Sequence, residues 1–396
     1  MRVFKNKGEK MENREMIYLD NAATSFPKPY AVSDAVKKYM LYCGGNAGRG
    51  GYNSAMEASR IVYSCRQSLA RFFDASSESV VFFTMNTTQG INGCIKGALK
   101  KGDHVIISSI EHNAVYRPIY KLLKRGHITC DTFSALENGQ TRDTEDILHD
   151  IAQKVRKNTR MVICAAASNI CSVRLPIKEI GEFCKQRGIF FMVDGAQGAG
   201  HFAISVRNMN IDALCVPGHK GLLGPQGCGA VILGEGVKLQ TVIEGGNGVD
   251  SLLGEMPDEP PERYEAGTLP LPAIAGLCEG IKAVEQIGVE KIAKHERALF
   301  ETAREELKTI NGVEVYCPDC AGSVLLFNFE NLDCERVCRY LAERRICVRG
   351  GYHCAALAHK SIGTLEKGAV RISFGVFNNE KEIEALVREL RSINKG

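Results

Sequence analysis

The sequence predicts an α/β protein built on a largely parallel β-sheet, followed by a smaller α+β region. Short apolar runs alternate with longer amphipathic stretches through most of the 396 residues, and such alternation is typical of parallel sheets covered by helices on both faces. Hydrophobic residues make up 44% and charged residues 24% of the chain, as in ordinary globular proteins. A chain of this length has room for two domains with a cleft between them.

Apolar runs bounded by Gly, Pro or polar residues predict the buried strands. These runs are Val80–Phe83, His104–Ile107, Met161–Ala165, Ile189–Val193, Ala213–Val216 and Ala230–Leu233. Helical periodicity between the runs predicts the covering helices. These helices are Glu57–Phe72, Thr88–Lys100, Asn113–Lys124, Thr144–Lys154 and Ile177–Arg187.

The acidic, proline-rich stretch Gly254–Pro261 interrupts this rhythm and predicts a loop. A long helical pattern over Pro272–Ile310 follows it. The order of elements after that pattern indicates the smaller α+β region. The predicted elements there are Val313–Tyr316, Ser323–Phe329, Cys334–Arg344, Ala369–Phe374 and Lys381–Ile393.

Charge and cysteine content narrow the class of protein. The 50 Lys and Arg residues against 46 Asp and Glu give a net charge of +4 without a long basic run, which argues against nucleic acid and membrane surfaces as partners. We expect no membrane span and no secretory signal, and therefore a cytoplasmic protein whose sixteen cysteines are reduced thiols. The CxxC pair Cys317 and Cys320 lacks a second pair at zinc spacing, so we interpret it as a loop with two incidental thiols and expect no metal site.

The strongest chemical signal is a carboxylate and a lysine that follow two predicted strands. Asp194 and Gln197 come after one strand, and His219 and Lys220 come after the next. The carboxyl ends of parallel strands line the ligand crevice of an open sheet, so these side chains should converge. A lysine for a Schiff base and a carboxylate for the pyridine nitrogen are the pair that pyridoxal phosphate needs.

With these motifs, the chain resembles the class V, fold type I pyridoxal-phosphate enzymes, in particular the cysteine desulfurase and selenocysteine lyase group. The resemblance runs from the segment Tyr18–Thr24 to the C-terminal helix. It implies a mainly parallel, seven-stranded type of sheet between helices in a large domain, residues 26–282. It also implies a small domain, residues 1–25 and 283–396, that carries a catalytic cysteine loop.

The resemblance assigns a role to each candidate site residue. Lys220 would form the Schiff base, Asp194 would pair with the pyridine nitrogen and Gln197 with the phenolic oxygen of the cofactor. His112 would stack on the cofactor ring, and the phosphate would lie near His219 and the helix start at Thr87 and Thr88, where backbone N–H groups are free. Asn169 would contact both the cofactor and the substrate, and Arg371 and Arg349 would contact the substrate. Thr268 would contact the phosphate bound by a neighbouring subunit, so the resemblance implies that the active unit is a homodimer.

A nucleophilic cysteine separates this group from aminotransferases of the same fold. Cys354 stands in the glycine-rich stretch Arg349–Ala355, which resembles the loop that carries this nucleophile. Three positions depart from the family pattern. Pro217 replaces a hydroxyl residue expected near the phosphate, Cys171 and Ser172 replace a common Thr-Gly pair, and Asn247 stands where Thr is expected.

The resemblance therefore implies a desulfurase that converts L-cysteine to L-alanine and leaves sulfur on Cys354 as a persulfide for an acceptor protein. Selenocysteine lyase, acting on L-selenocysteine with the same residues, is the main alternative. An aminotransferase or C–S lyase would not need Cys354. A non-catalytic thiol or metal-binding protein would leave the arrangement of Asp194, His112 and Lys220 without a cause.

Overall fold

The structure, a computed structural model, describes residues 16–48, 50–137, 139–317, 319–320 and 322–393. Within these residues the strands are β1 (Ile17–Tyr18), β2 (Val81–Thr84), β3 (His104–Ser108), β4 (Thr129–Phe133), β5 (Leu136–Glu137), β6 (Gln140–Thr141), β7 (Thr159–Ala165), β8 (Phe190–Asp194), β9 (Ala213–Pro217), β10 (Gly229–Leu233), β11 (Val313–Tyr316), β12 (Val324–Phe329), β13 (Ile346–Cys347), β14 (Arg349–Gly351) and β15 (Ala369–Ser373). The α-helices are α1 (Tyr30–Lys38), α2 (Asn53–Phe72), α3 (Thr87–Ala98), α4 (Asn113–Lys124), α5 (Thr144–Lys154), α6 (Ile177–Gln186), α7 (Leu271–Ile287), α8 (Val289–Lys308), α9 (Cys334–Glu343), α10 (Ala356–Ile362) and α11 (Glu380–Ile393).

A seven-stranded sheet in the order β2-β10-β9-β8-β7-β3-β4 forms the centre of the fold. The strands from β9 to β4 run parallel to their neighbours, whereas β10 is antiparallel to both β9 and β2. The predicted fold class, a mainly parallel sheet between helices, is confirmed. All six predicted strands of this sheet are present, with ends shifted by one or two residues.

The apolar character of these strands follows from burial on both faces of the sheet. Along β7, Val162 and Cys164 pack into one apolar cluster, and Met161 and Ile163 pack into the cluster on the opposite face. Successive side chains of a strand point to opposite faces, so a strand covered on both sides is apolar at every position. The five residues of each of β3, β8, β9 and β10 are likewise buried.

A four-stranded antiparallel sheet, β11-β12-β15-β14, lies in the C-terminal part of the chain. Helices α8, α9 and α11 supply apolar side chains to its cluster. The N-terminal strand β1 pairs with β13, so the start of the described chain joins this C-terminal region. The division into 26–282 on one side and 1–25 with 283–396 on the other stays a prediction.

The long helical pattern over Pro272–Ile310 forms two helices, α7 and α8, rather than one. Gly288 separates them with a φ of 91°, a backbone conformation that glycine adopts without the steric cost of a side chain. No helix in the described ranges is both long enough and apolar enough to cross a membrane.

Candidate active site

The site is a cavity of about 380 Å³ at the carboxyl ends of the central strands. It brings together eleven of the twelve candidate residues, from segments far apart in the sequence. They are Thr87, Thr88, His112, Asn169, Asp194, Gln197, His219, Lys220, Arg349, Cys354 and Arg371. The twelfth, Thr268, is exposed and does not line this cavity, so its predicted reach into a neighbouring subunit stays a prediction.

Asp194 and Lys220 provide the predicted pair of charges. Asp194 is the last residue of β8, is only 3% exposed, and accepts a hydrogen bond from the Ala196 amide at 2.9 Å. Burial raises the pKa of the Asp194 carboxyl, while that N–H and the Lys220 charge lower it. Burial also lowers the pKa of Lys220 to about 8, because solvent favours the charged form that the protein interior disfavours.

His112 lies at the start of α4 and contributes an uncharged ring to the cavity. Its Nδ1 accepts a hydrogen bond from the Ala114 amide at 3.0 Å, so the neutral ring carries its proton on Nε2. Burial, together with the positive charges of Lys220 and Arg371, lowers the pKa of His112 to about 4. The ring is therefore neutral at pH 7 and suited to stacking against a flat ligand.

The predicted phosphate site forms where β2 ends and α3 begins. Asn86 caps this helix by accepting a hydrogen bond from the Gln89 amide at 3.0 Å. The side chain of Thr87 is buried and Thr88 faces the cavity. The first N–H groups of a helix and its dipole favour an anion at this place.

Cys354 lies on a loop whose backbone is held in an unusual conformation. His353 and Cys354 both adopt positive φ angles, 50° and 55°, in the left-handed region that is unfavourable for residues with a Cβ atom. Hydrogen bonds from outside the loop hold it there: Asn169 donates from its amide to the His353 carbonyl at 2.8 Å, and the Asn113 N–H donates to the Cys354 carbonyl at 2.7 Å. All sixteen cysteines fall within the described ranges and are free, and Cys354 alone among them is exposed.

Arg371 is nearly fully buried and contacts a carboxylate that the sequence reasoning did not assign. Its Nη2 donates to Asp20 Oδ1 at 2.6 Å, and its Nη1 donates to the Asn169 carbonyl at 3.0 Å. Arg349 donates from Nε to the other Asp20 oxygen at 3.1 Å. Asp20 lies in the segment that carries the family resemblance, but a single Asp near the N-terminus gave no signal that it would reach two arginines.

Lys28 is a second residue that the sequence reasoning missed. Its ammonium donates to Ser25 Oγ at 2.7 Å and to the His219 carbonyl at 2.8 Å, and Ser25 Oγ donates to the Lys220 carbonyl at 2.9 Å. Burial lowers the pKa of Lys28 to about 7. These contacts fix the backbone of the residue that is expected to hold the cofactor. A lysine followed by proline at this point has no sequence signal that distinguishes it from a surface lysine.

Several buried polar atoms around the cavity have no hydrogen-bond partner within the described part of the chain. They are Thr87 Oγ1, Asn169 Oδ1, Gln197 Oε1, His219 Nδ1 and Arg371 Nε. Buried polar atoms in folded proteins are nearly always paired. Their concentration at one cavity indicates a site built for a polar ligand.

Of the three departures from the family pattern, one lines this cavity and two do not. Pro217 ends β9 and lines the cavity. Cys171 is buried in the same apolar cluster as Cys317 and Cys320. Asn247 lies outside the cavity lining and donates to the Glu262 carbonyl at 2.9 Å. Among the residues that the structure describes, no group of three or more His, Cys, Asp or Glu is arranged to hold a metal ion.

Comparisons with known proteins give a consistent result. The family model for aminotransferase class-V matches residues 17–386. A probable cysteine desulfurase of Methanothermobacter thermautotrophicus is 34% identical over 393 residues, which cover 96% of this chain and 95% of the relative. A probable cysteine desulfurase of Pyrococcus abyssi is 33% identical, and the match covers 97% of this chain and 95% of the relative. The solved apo structure of a cysteine desulfurase from Thermococcus onnurineus matches with a TM-score of 0.87 and 30% identity, and the match covers 96% of this chain and 95% of that one.

Proposed function

Because the chain belongs to the aminotransferase class-V family, we propose that it is a pyridoxal-phosphate-dependent cysteine desulfurase that converts L-cysteine to L-alanine. The observation that carries the proposal is the convergence of Lys220, Asp194 and the exposed Cys354 on one cavity. A lysine and a buried carboxylate suit the cofactor, and an exposed thiol suits sulfur transfer. Relatives at 33–34% identity, which bear the name of probable cysteine desulfurases, support the same activity.

The residues around the cavity fit pyridoxal phosphate. The unpaired Thr87 hydroxyl and the start of α3 suit the phosphate, and the neutral His112 ring suits the face of the pyridine. Asp194 suits the ring nitrogen and Lys220 the aldehyde carbon. When bound, this cofactor supplies an electron sink for the bonds at the substrate Cα.

The protein's own groups then have defined tasks. Arg371 would hold the substrate carboxylate through guanidinium N–H groups that its contacts with Asp20 and the Asn169 carbonyl do not use. With a pKa of about 8, Lys220 is close to neutral pH and its Nζ is suited to take the proton from Cα. The Cys354 thiolate would attack the substrate sulfur, so that a bond forms between the two sulfur atoms and the bond from sulfur to Cβ breaks. The persulfide then stays on Cys354, and alanine leaves after reprotonation.

The test measures alanine and sulfide released from L-cysteine in the presence of a reductant. We expect equal amounts of both from the parent protein and neither from Cys354→Ala, whose visible cofactor absorbance should be unchanged. Cys347→Ala is the matched control, because Cys347 lies in β13, seven residues before Cys354, but does not line the cavity. Sulfide from Cys354→Ala would indicate a simple C–S lyase, and a cofactor-loaded parent that releases no alanine would overturn the proposal. The same assay with L-selenocysteine tests the lyase alternative.

We further propose that the protein is a cytoplasmic homodimer that passes sulfur to an acceptor protein. Large apolar side chains exposed on one region of the single chain support the dimer: Met40, Leu41 and Tyr42 are exposed by 68%, 59% and 82%. A dimer would also give exposed Thr268 a partner cavity to enter. Sedimentation equilibrium of the purified protein at a mass near 43.4 kDa would contradict this part of the proposal.

A further inference from the structure

A second histidine lies behind the loop that carries Cys354, residues 349–355. His359 belongs to α10, the helix that follows this loop, and both His359 and Thr364 are fully buried. The His359 ring stacks on the His353 ring, with centroids 5.6 Å apart and an angle of 14° between the ring planes. The residue that precedes Cys354 is therefore in direct contact with the helix behind the loop.

Hydrogen bonds connect these side chains in a single direction. His353 Nε2 lies 3.1 Å from the Arg349 carbonyl oxygen, and His353 Nδ1 lies 3.4 Å from His359 Nε2. His359 Nδ1 lies 2.7 Å from Thr364 Oγ1. A carbonyl oxygen only accepts, so a neutral His353 ring donates from Nε2 and accepts at Nδ1. His359 must then donate from Nε2 to His353 and accept from the Thr364 hydroxyl at Nδ1.

Burial keeps both rings neutral, as this pattern of hydrogen bonds requires. It lowers the pKa of His353 to about 3 and the pKa of His359 to about 4, although the Tyr352 carbonyl opposes the decrease at His359 by accepting from its ring. Both nitrogens of His353 are engaged, one with Arg349 and one with His359. The His353 ring therefore fixes the loop and does not take a proton from Cys354.

The loop needs this support because its backbone is in an unfavourable conformation at Cys354. His353 and Cys354 have φ angles of 50° and 55°, which residues with a Cβ atom keep only where the surrounding structure holds them. Asn169 and Asn113 hold the two backbone carbonyls of this pair. His359 adds a contact of a different kind, because it holds the side chain of His353.

Helix α10 is itself fixed to the rest of the fold. Gly363 ends the helix with a φ of 85°, and in the turn that follows, the Thr364 N–H donates to the His359 carbonyl at 2.9 Å. This turn also brings the Thr364 hydroxyl to the His359 ring. Ser361 Oγ donates to the Ser109 carbonyl at 3.2 Å, which connects α10 to the segment after β3.

We propose that His359 is a positioning residue for Cys354. Together with Thr364 it fixes the His353 ring to α10, and the ring holds the loop in the conformation that places Cys354 in the wall of the cavity. The role of Cys354 as the nucleophile rests on the proposed function, whereas the series of hydrogen bonds that holds the loop does not.

The experiment first compares two variants of the purified, cofactor-loaded protein. His359→Leu removes both ring nitrogens, and we expect kcat for L-cysteine to fall by about tenfold or more because the thiol is misplaced. KM should change by less than about threefold, because Arg371 and Lys220 keep their positions. His359→Gln keeps an amide N–H that can donate to His353 Nδ1, so its kcat should stay within about threefold of the parent value. The visible cofactor absorbance should be the same in both variants.

Hydrogen exchange, measured by mass spectrometry, reports on the loop without turnover. The Ala355 N–H donates to the Tyr352 carbonyl at 2.9 Å, so peptides that cover residues 350–356 follow the opening of the loop. Exchange should be about tenfold or more faster in His359→Leu and close to the parent rate in His359→Gln. Thr364→Val removes the hydroxyl at nearly constant shape. It should change kcat and exchange in the same direction, and it keeps the test available if His359→Leu folds poorly.

His104→Leu is the matched control. His104 is also fully buried and its Nδ1 lies 2.8 Å from the Thr159 hydroxyl, but it belongs to β3 and does not line the cavity. This variant should leave kcat and the exchange of the loop within about twofold of the parent values. A fall in kcat as large as that in His359→Leu would show that the loss of any buried histidine is sufficient, and it would overturn the inference.

The two readouts separate this inference from the proposed function. Exchange of the loop tests His359 even if the parent releases no alanine from L-cysteine. Conversely, an active desulfurase whose kcat and loop exchange are the same in His359→Leu as in the parent retains its function and loses this inference.

Discussion

Lys220 should react with small aldehydes at neutral pH far faster than an ordinary lysine. Burial lowers its pKa from 10.5 to about 8, Arg371 and Arg349 act in the same direction, and Asp194 opposes them. Only the neutral amine is reactive. At pH 7 about one side chain in ten is neutral at a pKa of 8, against about one in three thousand at 10.5, so the reactive fraction rises by about 300-fold.

Reductive methylation of the cofactor-free protein measures this directly. Formaldehyde and a borane reductant label neutral amines, and mass spectrometry of the peptide that contains Lys220 gives the rate at each pH, with N-acetyl-lysine amide as the reference. The rate should rise to half its maximum near pH 8. Restricted access would lower the rate at every pH without moving that midpoint.

The cause of the shift is tested with Asp194→Asn. The Asp194 carboxylate favours the ammonium form of Lys220, so its removal should move the midpoint of labelling to a lower pH. A midpoint at about pH 10 in the parent protein would refute the argument that burial controls this lysine. A midpoint that rises in Asp194→Asn would refute the assignment of the opposing charge.

Two predictions concern the free energy of unfolding, measured by urea denaturation. Arg66 and Glu265 form a buried ion pair through two hydrogen bonds, with distances of 2.9 and 2.6 Å. Arg66→Met should lower the free energy of unfolding by about 3–5 kcal/mol, because it leaves a buried carboxylate without its ion-pair partner, and the double variant with Glu265→Met should recover much of that loss. A loss below about 1 kcal/mol in the single variant would contradict this expectation. A Cβ atom at Gly181 would lie 1.8 Å from the Met209 carbonyl oxygen, so Gly181→Ala should lower the free energy of unfolding by at least about 2 kcal/mol. The control is Gly93→Ala in α3, where a Cβ atom would meet nothing within 4 Å, and this variant should raise the free energy of unfolding by about 0.5–1 kcal/mol. Equal effects of the two alanines would show that the close approach at Gly181 is not a constraint.

The sequence predicted the central sheet well because those strands are apolar on both faces. The edge strand β4 was not predicted, because it lacks this apolar character. Its residues Thr129–Phe133 are mostly polar and partly exposed, so they lack the apolar run that marks a buried strand. The break between α7 and α8 was missed because the apolar periodicity continues across Gly288, and one glycine in a helical pattern is a weak signal.

The sequence predicted those residues of the candidate site that stand in a recognisable motif directly after a strand. Asp194 and Lys220 follow β8 and β9 directly, and the parallel sheet brings such ends together. Asp20 and Lys28 could not be found this way, because their roles depend on contacts with residues about 190 to 350 positions away. Neither side chain has a local pattern that distinguishes it from a surface charge.

Asn169 links two parts of the site that the sequence treats as separate. Its side-chain amide donates to the His353 carbonyl, and its own carbonyl accepts from Arg371. Each residue in the left-handed region costs about 1–3 kcal/mol, so His353 and Cys354 keep that conformation only while such contacts hold them. A change in how Arg371 is engaged therefore acts on the same residue that holds the Cys354 loop. Since Arg371 also donates to Asp20, the N-terminal segment is connected through Arg371 and Asn169 to the loop that carries Cys354.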